Sequence, residues 1–123
     1  MAGGKFTQAQ RDACFERAKG HCEVCGCRLP EKGWNLHHRT NRGAGGTKRQ
    51  VTCADGLAVC GSGTTGCHGY ISGHFVWSED RGYVVRRNSI ATPLTEPVFV
   101  RGEWVMFNAD GSTSPAPRME VPA

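Results

Sequence analysis

The sequence contains no apolar run long enough to cross a membrane, and its first residues lack the apolar core of a secretory signal. Only 38% of the 123 residues are hydrophobic, whereas 17 are glycine. A single domain of this length buries only about two-thirds of its unfolded surface. We therefore expect a soluble cytoplasmic protein with long loops and a cross-link that compensates for a small core.

Seven cysteines, an odd number, do not suit a scaffold built only of disulfides. Cys22 and Cys25 have the C-x2-C spacing of a zinc knuckle, and Cys60 and Cys67 supply a second pair. Two such pairs that converge are typical of a structural zinc site with four cysteine ligands. Cys27 is a competing ligand, but it would give the less usual C-x4-C spacing. The thiols outside the predicted site, which we expect to be reduced in the cytosol, are Cys14, Cys27 and Cys53.

Acidic residues are scarce where basic residues are frequent. The formal net charge is +4, and between Arg28 and Arg49 only Glu31 opposes six basic residues. These are Arg28, Lys32, Arg39, Arg42, Lys48 and Arg49. The same segment carries two adjacent histidines, so its charge favours a polyanionic substrate. Arg39 and Arg42 are candidates for phosphate contacts, although solvated surface charge explains them equally well.

Local patterns predict an α+β fold in which a helix precedes a ββα unit. Thr7 is a suitable N-cap for a helix that extends to about residue 19 and that Gly20 ends. Residues 34–39 are a first predicted strand, residues 57–60 an antiparallel second strand, and residues 67 or 68 to 80 a helix. The side chains expected to pack this last helix are Tyr70, Ile71, Phe75, Val76 and Trp77.

The sequence pattern of the C-terminal third predicts a small β appendage. Residues 83–87 have the pattern of a strand, and residues 98–107 that of a hairpin that turns at 101–103. The proline-rich residues 112–123 are predicted to be disordered. We divide the chain into a core with the N-terminal helix (1–87), a β-hairpin extension (88–111) and a disordered tail (112–123).

Four further side chains suit a second metal and the movement of a proton: His37, His38, Asp55 and His68. Since His37 and His38 are neighbours on a predicted strand, they face opposite ways. One can therefore hold a metal while the other faces the substrate. A neutral imidazole can activate water, and a Lewis-acid metal can neutralise charge on a phosphodiester.

Over residues 7–87 the chain resembles the HNH endonucleases, also called ββα-metal or His-Me finger nucleases, and especially the small zinc-stabilised members encoded by tailed bacteriophages. The most specific part is the phrase Leu-Ala-Val-Cys-Gly-Ser-Gly-Thr-Thr-Gly-Cys-His-Gly at residues 57–69, which follows a histidine pair and a glycine-rich loop. The resemblance implies a metal-dependent DNA endonuclease that leaves 3′-hydroxyl and 5′-phosphate ends.

The resemblance also implies a role for each residue. His38 matches the general base that takes a proton from the attacking water, whereas His37 and His68 match metal ligands. Asp55 takes the place of the middle Asn of the family, and Gly56 is a less suitable occupant. In the family that Asn either orients the loop that carries the base or helps to hold the metal. Aspartate accepts hydrogen bonds but cannot donate them, so Asp55 suits the orienting role less well than Asn and the role of metal ligand at least as well.

The cofactors predicted in this way are a structural Zn²⁺ on the four cysteines and a catalytic Mg²⁺, Mn²⁺ or Ni²⁺ on His37 and His68. The predicted partner is DNA, and the phage resemblance adds the hypothesis of genome packaging with terminase subunits in the cytoplasm of a bacterial host. The alternative is a non-catalytic zinc-binding, DNA-binding module with a degenerate HNH fold. Because His38 and His68 are both present, the sequence favours the enzyme.

Overall fold

The computed structural model describes residues 5–30, 33–40, 51–86, 90–117 and 119–122. Its fold is α+β, as the sequence predicts. Helices are α1 (Gln8–Ala18), α2 (Gly66–Gly73) and α3 (Phe75–Asp80); strands are β1 (Asn35–His38), β2 (Gly56–Val59), β3 (Val98–Val100), β4 (Glu103–Phe107) and β5 (Thr113–Pro115). A 3-10 helix, Cys53–Asp55, precedes β2. Within these ranges, no helix has the length and apolar character needed to cross a membrane.

Helix α1 begins and ends through local interactions. The Thr7 side chain accepts a hydrogen bond from the backbone of Gln10, whose side chain accepts one from the backbone of Thr7. This capping box satisfies two of the amide groups that every helix start leaves unpaired. At the other end Lys19 adopts a left-handed conformation with φ of 55°. The predicted helix is confirmed, and it buries Cys14 and Ala18.

Strands β1 and β2 pair antiparallel, with His37 opposite Leu57 and His38 opposite Gly56. All four residues of β2 are buried, so this strand lies at the centre of the core. Gly56 is required by close packing, because a Cβ there would come within 2.8 Å of a Leu36 methyl group. The predicted strand pair is therefore confirmed.

The helix predicted to extend to residue 80 is instead two helices that meet at His74. Gly73 precedes the break, and glycine lowers helix stability. The break changes which residues pack: Ile71 is buried, but Tyr70, Phe75 and Val76 are exposed. The prediction that these three side chains pack against the core is wrong.

The C-terminal sheet has the strand order β3-β4-β5. The predicted hairpin is confirmed; Arg101 and Gly102 both have positive φ, which suits a two-residue turn between antiparallel strands. The prediction of a disordered tail is wrong for Thr113–Pro115, since these residues pair with β4 as a third strand. The predicted strand at 83–87 is reduced in the described residues to one bridge between Val85 and Thr40.

The C-terminal sheet shares the core of the N-terminal part. Phe107 of β4 is 1% exposed, and the guanidinium of Arg17 lies 3.6 Å from its ring centroid. Arg17 also forms a buried ion pair with Glu23 at 2.8 Å. Tyr83 donates its hydroxyl to the backbone carbonyl of Phe99 at 2.8 Å. The predicted boundary at 87/88 lies within residues 87–89, outside the described part of the chain.

Arg39 joins these segments from inside and is not a phosphate contact, which corrects the sequence interpretation. Its side chain is fully buried and donates to the backbone carbonyls of Gly82 at 2.7 Å, Ala54 at 2.9 Å, Pro93 at 2.9 Å and Glu96 at 3.0 Å. Burial lowers the pKa of Arg39 to about 9, which leaves the guanidinium charged at neutral pH. The guanidinium has five N–H donors in one rigid plane, so a single arginine side chain can satisfy several carbonyls at once.

We expect Arg39→Met to lower the free energy of unfolding by at least about 3 kcal/mol, because it leaves four buried carbonyls without their donor. Arg28→Met is the matched control, since Arg28 is exposed and should change stability by less than about 0.5 kcal/mol. Urea denaturation followed by circular dichroism measures both. Equal stability of the two variants would contradict the structural role of Arg39.

Candidate metal centre and active site

Four cysteines converge at one point, as the sequence predicts. The sulfurs of Cys22, Cys25, Cys60 and Cys67 all lie within 4.8 Å of one another, and those of Cys25 and Cys60 are 3.8 Å apart. Four thiolates around a tetrahedral zinc, with Zn–S bonds of about 2.3 Å, would be separated by about 3.8 Å. The cluster therefore has the dimensions of a metal site.

Backbone amides point at two of these sulfurs. Cys25 N–H donates to the sulfur of Cys22 at 3.4 Å, and Cys67 N–H donates to the sulfur of Cys60 at 3.5 Å. Such donors stabilise thiolates and fix their orientation. Burial and the neighbouring Cys22 raise the pKa of the Cys67 thiol, since thiolates this close repel one another. A bound divalent cation removes that penalty and deprotonates its ligands.

The six residues between Cys60 and Cys67 fold into a tight turn that brings the two sulfurs together. Gly61 has φ of 89°, and a Cβ on it would overlap the carbonyl of Thr65. Ser62 and Thr65 close the turn through hydroxyl and backbone hydrogen bonds. Cys60 and Cys67 are separated by six residues, four more than in C-x2-C, and this turn still places the Cys67 sulfur beside that of Cys60.

The two histidines predicted as metal ligands also lie together. The ring centroids of His37 and His68 are 5.3 Å apart. Nε2 of His37 lies 2.8 Å from the backbone carbonyl of Tyr83, which makes Nε2 the protonated nitrogen and leaves Nδ1 as an acceptor. Nδ1 of His68 is buried and has no hydrogen-bond partner. An unsatisfied buried nitrogen beside a second imidazole fits a metal ligand.

Burial disfavours the charged form of both imidazoles. It lowers the pKa of His37 to about 4, and it lowers the pKa of His68. Only the neutral ring has a lone pair to offer a metal ion. The pair supplies two ligands, so the remaining coordination positions would be open to water or substrate.

His38 lies on the opposite side of β1 from His37, as strand alternation predicts. Its ring packs on Phe6, with centroids 4.4 Å apart. Phe6 immediately precedes the capping box of α1, so the start of that helix determines where the contact is made. Sequence reasoning gave no role to Phe6 or Tyr83. The contact of Phe6 could have been suspected only weakly, from an aromatic residue that precedes an N-cap. The contact of Tyr83 could not have been predicted, because it is made by a backbone carbonyl that any residue has.

The Asp55 carboxylate caps its own loop. It is 2% exposed and accepts from the backbone amide of Thr52 at 2.8 Å, while the Asp55 backbone carbonyl accepts from Arg39 N–H at 2.7 Å. The first contact closes the loop on itself, and the second holds the loop against the segment that follows His38. Throughout the described ranges, the four cysteines form the only group of three or more His, Cys, Asp or Glu side chains close enough to share an ion. Asp55 thus has the geometry of a loop-orienting residue.

The other two histidines, His21 and His74, are separate from both clusters. His74 stacks on Tyr70 with ring centroids 3.7 Å apart, and His21 contacts the carbonyl of Lys19 at 2.8 Å. Arg42 and the other basic residues of the glycine-rich loop fall in residues 41–50, outside the described part.

Comparison of the chain with protein-family models, with curated proteins and with solved structures finds no significant match. The geometry of the two clusters therefore carries the functional argument.

We expect Cys25→Ser to lose bound zinc and to lower the melting temperature, whereas Cys27→Ser should retain both. The two thiols are exposed and two residues apart, so they form a matched pair that also tests the competing ligand. Removing one thiolate leaves the site with three, and metal binding contributes directly to folding in such sites. Metal content by elemental analysis and thermal unfolding measure the outcome. Loss of zinc from Cys27→Ser, with zinc retained in Cys25→Ser, would reassign the ligand.

Proposed function

We propose that this chain is a metal-dependent DNA endonuclease of the HNH type, with a structural zinc on its four cysteines. One observation carries the proposal: the neutral rings of His37 and His68 meet 5.3 Å apart, and His38 occupies the next position on the same strand. Two paired strands followed by α2 would then be a ββα-metal unit. The cysteine cluster supports it, because it secures the start of α2 against the end of β2.

His37 and His68 would hold the catalytic ion. When bound, a divalent ion supplies Lewis-acid stabilisation of charge on the phosphate and on the departing oxygen. Two imidazoles without a carboxylate are better ligands for Ni²⁺ than for Mg²⁺ or Mn²⁺, which prefer oxygen donors. The Tyr83 carbonyl holds the His37 ring in one tautomer and orientation.

His38 would accept the proton of the attacking water. A histidine is the side chain best suited to this task near neutral pH. Its position is fixed on both sides: Phe6 packs on the ring, and the backbone of the following residue, Arg39, bonds to Asp55. Asp55 would act through this loop contact, as the orienting residue of the site.

His38→Ala is expected to lower the rate of supercoiled plasmid nicking by about 10²- to 10⁴-fold, since that is the usual contribution of a general base. The wild-type protein, loaded with zinc, should nick only after Ni²⁺, Mn²⁺ or Mg²⁺ is added. His21→Ala is the control, because His21 is exposed and belongs neither to the cysteine cluster nor to the His37–His68 pair. Zinc content and circular dichroism establish that each variant is folded.

If the folded wild type binds DNA but cuts under none of these ions, the endonuclease proposal fails. The alternative, a zinc-binding DNA-binding module, would then explain the data. If His38→Ala cuts as fast as wild type, the protein is a nuclease with a different base.

A further inference from the structure

Five exposed or half-buried side chains on α2 and α3 take no part in the proposed chemistry. We call them the aromatic face: Tyr70, His74, Phe75 and Val76 are exposed, and Trp77 is half-buried. Tyr70 is 47% exposed, Phe75 42% and Val76 68%. Hydrophobic side chains exposed together on one surface mark a binding site more often than isolated ones do.

The rings of the aromatic face are held in place before any ligand arrives. Tyr70 and His74 are stacked, with centroids 3.7 Å apart and planes at 8°, and His74 Nδ1 lies 2.8 Å from the Tyr70 carbonyl. Trp77 meets Tyr70 edge-on at 4.8 Å. The guanidinium of Arg81 lies over Trp77 at 4.4 Å. Binding of a ligand that stacks on this surface would therefore cost the protein little side-chain entropy.

Polar and charged groups border the aromatic face. No Asp or Glu occurs between Gly56 and Ser78, and the acidic residues Glu79 and Asp80 end α3. The exposed Ser62–Thr65 turn offers hydroxyl groups and packs closely on Gly69, one residue before Tyr70. The Arg86 guanidinium lies 4.9 Å from the Phe75 ring and pairs with Glu79 beyond it. Aromatic rings flanked by hydroxyl and guanidinium groups are the usual surface for unpaired nucleotides.

The aromatic face lies across α2 from the proposed active site. Tyr70 follows His68 by two residues, which is about 3 Å along the helix axis and about 200° around it. The helix with its side chains is about 10–12 Å across, the length of about three nucleotides at 3.4 Å each. A strand that is bound at His68 and passes around α2 could therefore place a base about three nucleotides away on Tyr70 or His74.

We propose that the aromatic face binds unpaired bases, so that the substrate class is DNA with a single-stranded stretch beside the cleaved phosphate. This inference rests on the proposed endonuclease function. Bases in an intact duplex stack on one another and cannot stack on protein rings, whereas splayed bases can. The protein should accordingly bind a single strand more tightly than the duplex of the same sequence.

The test measures binding separately from cleavage. Fluorescence anisotropy of a short labelled DNA strand, alone or annealed to its complement, is recorded with zinc-loaded protein and no other divalent ion. Tyr70→Leu removes the ring and should weaken single-strand binding at least about fivefold, while Tyr70→Phe should bind as wild type does. Leu94→Ala, which shortens an exposed apolar side chain outside α2 and α3, controls for general changes of the surface and should leave binding unchanged. His74→Ala provides a second removal of a ring, should Tyr70→Leu lose zinc or helical signal.

The outcomes separate this inference from the proposed function. Unchanged single-strand affinity in Tyr70→Leu and His74→Ala overturns the inference, even if the wild type nicks plasmid. Ring-dependent single-strand binding by a protein that never cuts supports the aromatic face and removes the endonuclease proposal. If the wild type binds neither form of DNA but self-associates, and Tyr70→Leu abolishes that association, the aromatic face is a protein interface and the inference is wrong.

Discussion

The convergence of four cysteine sulfurs is the constraint on which the rest of the structure depends. Two sulfurs come from the turn after α1, and two flank the tight turn between β2 and α2. A chain with a small core has few other means of fixing a helix of only eight residues, because short helices are marginal without tertiary contacts. The cluster places the start of α2, and the start of α2 places His68 against His37.

Arg39 provides a second set of contacts, all of them inside the protein, that holds later segments of the chain. It follows the histidine pair directly and bonds to carbonyls of three later segments, which ties the end of β1 to the 3-10 helix, to Gly82 and to the loop before β3. Asp55 adds a cap to the same loop. Thus a predicted phosphate contact and a predicted site residue both serve to position their neighbours, and the candidate base at His38 lies between two constrained points.

Most elements that depend on interactions between residues close in sequence were predictable, whereas most contacts between distant residues were not. Helix α1, the β1–β2 pair and the β3–β4 turn depend on capping, alternation and turn chemistry within a few residues, and each was predictable. The cysteine cluster was predictable although its two pairs are far apart in sequence, because a structural zinc site needs four ligands and each cysteine pair supplies only two. Arg39 was not predictable, because its partners are backbone carbonyls that any residue could supply. The Asp55 cap left a readable signal, since Thr52-x-x-Asp55 is a capping pattern. The exposure of Tyr70 and Phe75 depends on a helix break at His74 that only Gly73 indicated.

Titration of the metal-free, reduced protein with Co²⁺ tests the central claim most directly, because the visible spectrum of cobalt reports both geometry and ligand type. If the four cysteines form one site, one equivalent should give intense tetrahedral d–d bands together with thiolate-to-metal charge transfer, and folding should follow the same titration. Cys25→Ser should weaken the charge-transfer band, and Cys27→Ser should leave it unchanged. Weak bands typical of octahedral oxygen and nitrogen ligands, or a folded protein that binds no cobalt, would contradict the account.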